Sequence, residues 1–379
     1  MNVSFQREPL VNARRIVIKL GTRAVSNESG GLDLARLEAI VRQLGELHRR
    51  GVEVLLVSSG AVGLGAHQLG MALPVRSLVN RQAAAAVGQS ELMAMYAERF
   101  AADGVTVAQV LVATGDFDNR SRYLNIRNTL LRLLRHNVIP IINENDAVSV
   151  AELKFVDQAS PVFGDNDRLS AIVASKMDAD LLVLLTDVPG LFDKNPTEHA
   201  DAQILHQIDE DWSGFETGDH KSEISRGGMK TKVEAAQIAV KSGCHAVIAS
   251  GLDSSALPRV LAGETEGTWC VAQKGLTAHR RWVAWGTPAR GTLSLDAGAI
   301  RALVGGKVSL LAAGVTDIQG EFERGAVVEL KNPDGEVVGR GMISCDSAEA
   351  RAWVDGKAPI DARNHDALIH REHLVLETQ

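Results

Sequence analysis

The chain has 379 residues, 45% of them hydrophobic and 23% charged, enough for one large domain and a smaller one. A net charge of −7 and a pI near 5.9 argue against a protein built mainly to grip nucleic acid or anionic lipid. Cys244, Cys270 and Cys345 lie far apart with no CxxC spacing, which argues against structural zinc and a disulfide framework and fits a reducing cytoplasm. Residues 1–15 hold no apolar signal segment and no apolar run approaches membrane-spanning length, so a soluble cytoplasmic protein with no membrane contact is expected.

In chain order, short apolar β-branched runs at 16–18, 54–57, 105–112, 138–142, 181–185 and 246–248 read as strands. Helix-period segments at 34–50, 81–101, 123–136, 168–177 and 230–242 fall between them. Strands that are continuously apolar are buried on both faces. With intervening helices this predicts a three-layer αβα sandwich with a mainly parallel central sheet. After about Lys274 the segments shorten and glycine turns recur, and Asn332-Pro333-Asp334-Gly335 between two apolar runs predicts a hairpin. The expected domains are residues 1–278 and a small, mostly β domain over 289–379, with Trp282 and Trp285 in the boundary.

Two clusters crowd carboxylates and amides: Asn143-Glu144-Asn145-Asp146, directly after an apolar strand, and Gly164-Asp165-Asn166-Asp167. Such groups are costly to desolvate, so each is expected to be a polar loop or a working site and not part of a core. Lys19 closes the first strand before Gly21, so at the strand's carboxyl end it either points into the crevice where open α/β sheets bind ligands or is a snorkelling lysine. Ser58-Ser59-Gly60-Ala61 suits an anion held by backbone N–H groups, or a plain strand–turn–helix connection; it fits neither the dinucleotide nor the P-loop spacing. Thr186-Asp187 could meet a ribose or base edge, or simply form an Asx turn into Pro189-Gly190. Gly227-Gly228-Met229-Lys230-Thr231-Lys232 opens a helix with cations that oppose the macrodipole, a conflict that phosphate oxygens would resolve. Cations and glycine loops gathered at strand ends point to phosphoryl transfer, which needs alignment and charge stabilisation more than covalent help. Asp165 and Asp167 flank an amide as hard-cation ligands do, but EF-hand spacing is absent and no metal ligand is assigned.

Taken with Val17-Ile18-Lys19-Leu20-Gly21-Thr22 and Leu185-Thr186-Asp187, these motifs closely resemble the glutamate 5-kinase family of amino-acid kinases across nearly the whole chain. The tail resembles a PUA domain, an RNA-binding module in other proteins. The resemblance implies ATP-dependent phosphorylation of the γ-carboxylate of L-glutamate, the first step of proline biosynthesis, with Mg²⁺ carried on ATP. It implies that Lys19 and Lys232 stabilise the transferred phosphoryl group and that Asp167 holds them. Ser59, Gly60, Asp146, Asp165 and Asn166 would bind glutamate, with a carboxylate for its ammonium and an amide for its carboxylate. Lys19, Thr186, Asp187, Arg226, Gly227, Gly228, Met229, Lys230, Thr231 and Lys232 would bind ATP. A homo-oligomer and feedback inhibition by L-proline are also implied. The chain departs from the family pattern in a longer connection over 155–163, in Ser225-Arg226 for an expected Gly-Thr, and in the additional Lys230. The tail has no basic run interleaved with aromatics, so its residues add no support for RNA binding. An acetylglutamate or aspartate kinase, or an RNA-binding regulatory protein, are the alternative readings.

Overall fold

A computed structural model describes residues 7–25, 33–117, 120–147, 166–209, 212, 228–273, 283, 288–305, 308–356 and 367–376. The chain divides into two compact units, Met1–Gly275 and Leu276–Gln379.

The first unit is built on eight strands: β1 (Arg15–Leu20), β2 (Glu53–Val57), β3 (Thr106–Val112), β4 (Val138–Glu144), β5 (Leu181–Thr186), β6 (Gln207–Ile208), β7 (His245–Ser250) and β8 (Thr268–Cys270). They form one sheet in the order β3-β4-β2-β1-β5-β7-β8-β6. β1 is central and parallel to both neighbours, with Lys19 opposite Val57 of β2 and Leu184 of β5. The described strands pair in parallel except for β7 with β8. The helices are α1 (Glu8–Val11), α2 (Thr22–Val25), α3 (Leu34–Arg49), α4 (Ala61–Gln68), α5 (Leu78–Ala102), α6 (Arg120–Arg135), α7 (Asn166–Lys176), α8 (Gly228–Lys241) and α9 (Ala256–Leu261).

Strand side chains alternate between two apolar cores. Ile16, Ile18 and Leu20 join Val54, Leu56, Ile139, Ile141 and Val183 in one core, closed by Leu37, Ile40 and Leu44 of α3 and by Leu92, Tyr96 and Phe100 of α5. Val17 joins Leu55, Val57, Ile142, Leu182 and Leu184 in the other, closed by Leu130 of α6, Ala171 and Ala174 of α7, and Ala235 and Ala239 of α8. The expected three-layer sandwich therefore follows from period-two strands with apolar residues on both faces. β3 departs from that expectation. It is an edge strand that pairs with β4, and its Leu111 is exposed. The two-residue period also puts Lys19 on the side of Val17, toward α7 and α8. α7 is buried along almost its whole length, because Ser170, Ala171, Ala174 and Ser175 let it lie close to the sheet.

The second unit holds a five-stranded sheet in the order β11-β9-β12-β13-β15, from β9 (Thr292–Leu295), β11 (Val315–Gln319), β12 (Val327–Lys331), β13 (Val337–Met342) and β15 (Leu374–Leu376). β10 (Leu310–Leu311) pairs with β14 (Ala367–Ile369). Its own core gathers Leu293, Leu295, Val328, Leu330, Ile343 and Leu368. The Asn332 side chain accepts from the N–H groups of Asp334 and Glu336, and Gly335 has φ +85°, so the expected β12–β13 hairpin forms.

Candidate active site

The chain enters β1 and β2 on one side of the sheet's midline and crosses to β5 on the other. The carboxyl ends of the parallel strands β1, β2, β4 and β5 therefore lie along one edge of the sheet, where open α/β sheets bind ligands. Gly60 caps α4 with φ +113°, a conformation that a residue with a Cβ adopts only under strain. α7 and α8 begin at Asn166 and Gly228, so two further helix N-termini belong to elements packed against each other and against β5.

Three charged side chains meet there. Lys19 Nζ lies 2.5 Å from Asp167 Oδ1, and Lys232 Nζ lies 3.1 Å from Asp167 Oδ2. Thr231 Oγ1 donates to the same Oδ2 at 3.2 Å. Asp167 is 1% exposed, Lys19 6% and Lys232 8%. Burial alone would raise the Asp167 pKa, but the two lysine charges and their hydrogen bonds outweigh it and hold the carboxyl below its usual range. Asp167 is thus an anion that fixes two cations from segments more than two hundred residues apart. The snorkelling alternative for Lys19 is excluded by its burial.

A second network is built from amides. Asn166 Nδ2 donates to Ser58 O at 2.7 Å, Ser59 Oγ at 2.8 Å and Asn143 Oδ1 at 3.0 Å. Asn143 Nδ2 donates to Gln89 Oε1 at 2.8 Å, and Asn143 Oδ1 accepts from the Glu144 N–H at 2.9 Å. Ser58 Oγ lies 2.8 Å from the Tyr96 hydroxyl, whose pKa burial pushes up to about 12. Asn143 and Glu144 are the last residues of β4, Asn166 and Asp167 the first of α7, and Asn143 is buried. The expectation that neither cluster could enter a core is corrected here. Each lies at the end of a core element, and hydrogen bonds offset its desolvation. The amide nitrogen of Asn166 is also occupied within the protein, so its expected donation to a substrate carboxylate does not match the geometry.

Thr186 is buried, and its hydroxyl donates to Asp187 Oδ1 at 3.0 Å. Asp187 Oδ2 pairs with Arg23 of α2 at 2.9 Å. Burial would raise its pKa, but the Arg23 and Thr186 hydrogen bonds prevail and lower it. Asp146 is half-buried in the turn after β4, and Ser59 and Gly60 are half-buried beside α4. On the first turn of α8, Met229 and Thr231 are half-buried and Lys230 is exposed. Asp165, Arg226, Gly227 and residues 155–163 lie outside the described residues. The roles of Gln89, Tyr96 and Arg23 were missed in the sequence. One signal was present: Gln89 is a polar residue directly after the alanine-rich stretch 83–88, on the face that carries Leu92 and Tyr96. Among the described residues no group of three or more His, Cys, Asp or Glu could hold a metal ion, and no helix is long and apolar enough to cross a membrane.

Residues 14–250 match the amino acid kinase family and residues 291–360 the PUA domain. A glutamate 5-kinase of Marinomonas sp. is 41% identical over 378 residues, covering 98% of this chain and 99% of that protein. A glutamate 5-kinase of Moorella thermoacetica is 42% identical over 380 residues, covering 98% of each. The solved carbamate kinase from Giardia lamblia bound to AMP-PNP shares the fold, with a TM-score of 0.51 at 21% identity, covering 69% of this chain and 100% of that one. The chain belongs to the amino acid kinase family and, within it, to the glutamate 5-kinases, with a C-terminal PUA domain.

Proposed function

We propose that this chain transfers the γ-phosphoryl group of ATP to the γ-carboxylate of L-glutamate, releasing L-glutamyl 5-phosphate and ADP for proline biosynthesis. The observation that carries this reading is the pair of buried lysines held on the two oxygens of Asp167 at the carboxyl ends of the sheet. A γ-carboxylate oxygen of glutamate attacks the γ-phosphorus as the bond to the β,γ-bridging oxygen breaks. Negative charge then spreads over the transferred group and the ADP leaving group. Lys19 and Lys232 meet that charge, and Asp167 keeps both ammonium groups in place so that no reorganisation is needed. The N-terminal turn of α8, with Thr231 and Lys230, and the Thr186-Asp187 turn would hold the nucleotide together with Arg226 and Gly227. Mg²⁺ would enter on the nucleotide phosphates, since both oxygens of Asp167 already bind cations.

Ser59, the Gly60 N–H, Asp146, Asp165 and Asn166 would bind glutamate. Because the Asn166 nitrogen is consumed internally, the atom it would offer glutamate is Oδ1, an acceptor suited to the ammonium group, alongside Asp146. The test is ADP release by the purified chain with L-glutamate, N-acetyl-L-glutamate, L-aspartate, carbamate or UMP as acceptor. L-Glutamate should be preferred by orders of magnitude; turnover confined to any other acceptor would refute the reading.

A further inference from the structure

We infer that Gln89 is a positioning residue for the acceptor substrate, anchoring an amide chain in which Asn166 presents an acceptor to the ammonium group of L-glutamate. This rests on the proposed function and goes beyond it by assigning a role to a residue on α5.

The direction of every amide in the chain is forced by two backbone groups. The Ser58 carbonyl can only accept, so the Asn166 atom 2.7 Å away must be its nitrogen. The Glu144 N–H can only donate, so the Asn143 atom 2.9 Å away must be its oxygen. Asn143 therefore turns its nitrogen to Gln89, which must answer with Oε1 at 2.8 Å. Asn166 has spent its nitrogen on three acceptors, which leaves Oδ1 as the atom it can turn to a ligand.

Gln89 is 9% exposed on a helix face that otherwise carries Ala85, Leu92 and Phe100. An apolar residue would fill that site without the desolvation cost of an amide, so packing does not account for the glutamine. Its depth is set by its neighbour. A Cβ on Gly88 would stand 1.9 Å from the Ala61 carbonyl oxygen, and one on Gly65 1.7 Å from that of Ala84. α5 is therefore pressed against α4, the helix that Gly60 opens. One turn pair further on, Tyr96 holds Ser58 from the same helix. Without an acceptor at position 89 the Asn143 nitrogen is left buried and unpaired, and the amide that accepts from Asn166 loses its anchor. Asn166 is then held less firmly against the ammonium group.

The test compares Gln89→Met, of similar length without an acceptor, with Gln89→Glu, which keeps one. In the full chain, the KM and calorimetric Kd for L-glutamate should rise about tenfold in Gln89→Met, with kcat and the KM for ATP moving about twofold at most. Gln89→Glu should stay within about threefold of the parent. Glutarate lacks the amino group, so its inhibition constant should move by about twofold at most in Gln89→Met. If Gln89→Met does not fold, Gln89→Asn, one methylene too short to reach Asn143, carries the same expectation. Unchanged glutamate affinity, or equal losses for glutamate, glutarate and ATP, would overturn the positioning role. Failure of the parent chain to use glutamate would overturn the proposed function instead.

Discussion

Replacing Asp167 by asparagine removes the one charge that Lys19 and Lys232 are seen to share while changing the side-chain volume little. Both ammonium groups are nearly excluded from water, at 6% and 8% exposure, so neither can recover its hydration in place. Removing one partner from a buried charged cluster costs about 3–5 kcal/mol, because the remaining charge is left uncompensated. Urea unfolding of Asp167→Asn at pH 7 should show a loss in that range, partly recovered by an ATP analogue whose phosphates supply negative charge. Turnover should fall about a hundredfold or more, since the lysines lose either their charge or their placement. The pH dependence has a definite sign. The folded-state pKa of Asp167 is lowered, so its contribution is complete above the unfolded value of about 4 and is lost as pH falls toward the folded value. The stability gap between the parent and Asp167→Asn should therefore shrink below about pH 4. A gap under about 1 kcal/mol at pH 7 with turnover within about tenfold of the parent would show that Asp167 does not hold the lysines.

Lys232→Ala should lower kcat about a hundredfold or more, whereas Lys230→Ala, on the exposed side of the same helical turn, should change it by about threefold at most in steady-state assays. Gly88→Ala forces a Cβ to within 1.9 Å of the Ala61 carbonyl and should destabilise the first domain by about 3 kcal/mol or more in thermal or urea unfolding. Burial holds the His245 pKa below its ordinary value, and its Nδ1 accepts from the Ala272 N–H at 3.0 Å and from the Trp269 indole N–H at 3.2 Å. The folded state thus resists protonation, so stability should decline as pH falls below about 6.5, a slope that His245→Asn should lack in urea titrations between pH 7 and 5.

Much of the site was legible in the sequence because its chemistry is carried by residues that a core does not otherwise admit. An apolar strand ending in Lys19 or Asn143 can satisfy those groups only at its carboxyl end, and β-branched runs separated by amphipathic helices leave few architectures other than a parallel sheet covered on both faces. Helix bounds shifted by a few residues, as with Arg81 against the observed Leu78 start of α5, because end turns are held by tertiary packing as much as by local periodicity.

What the sequence by itself determined is the set of strand-end motifs, the family they mark and the two-domain division of labour they suggest. Tertiary structure decided which of those groups touch. The alternation of β1 sends Lys19 toward α7 and not α3, and only the packing of α7 against α8 brings Asp167 to Lys232. The Gly88–Gly65 contact brings Gln89 to Asn143, and the Ser58 carbonyl then settles which end of Asn166 is left to meet a substrate. Hydrogen-bond polarity is a property of pairs, and no single residue in the chain carries it until the fold supplies the partner.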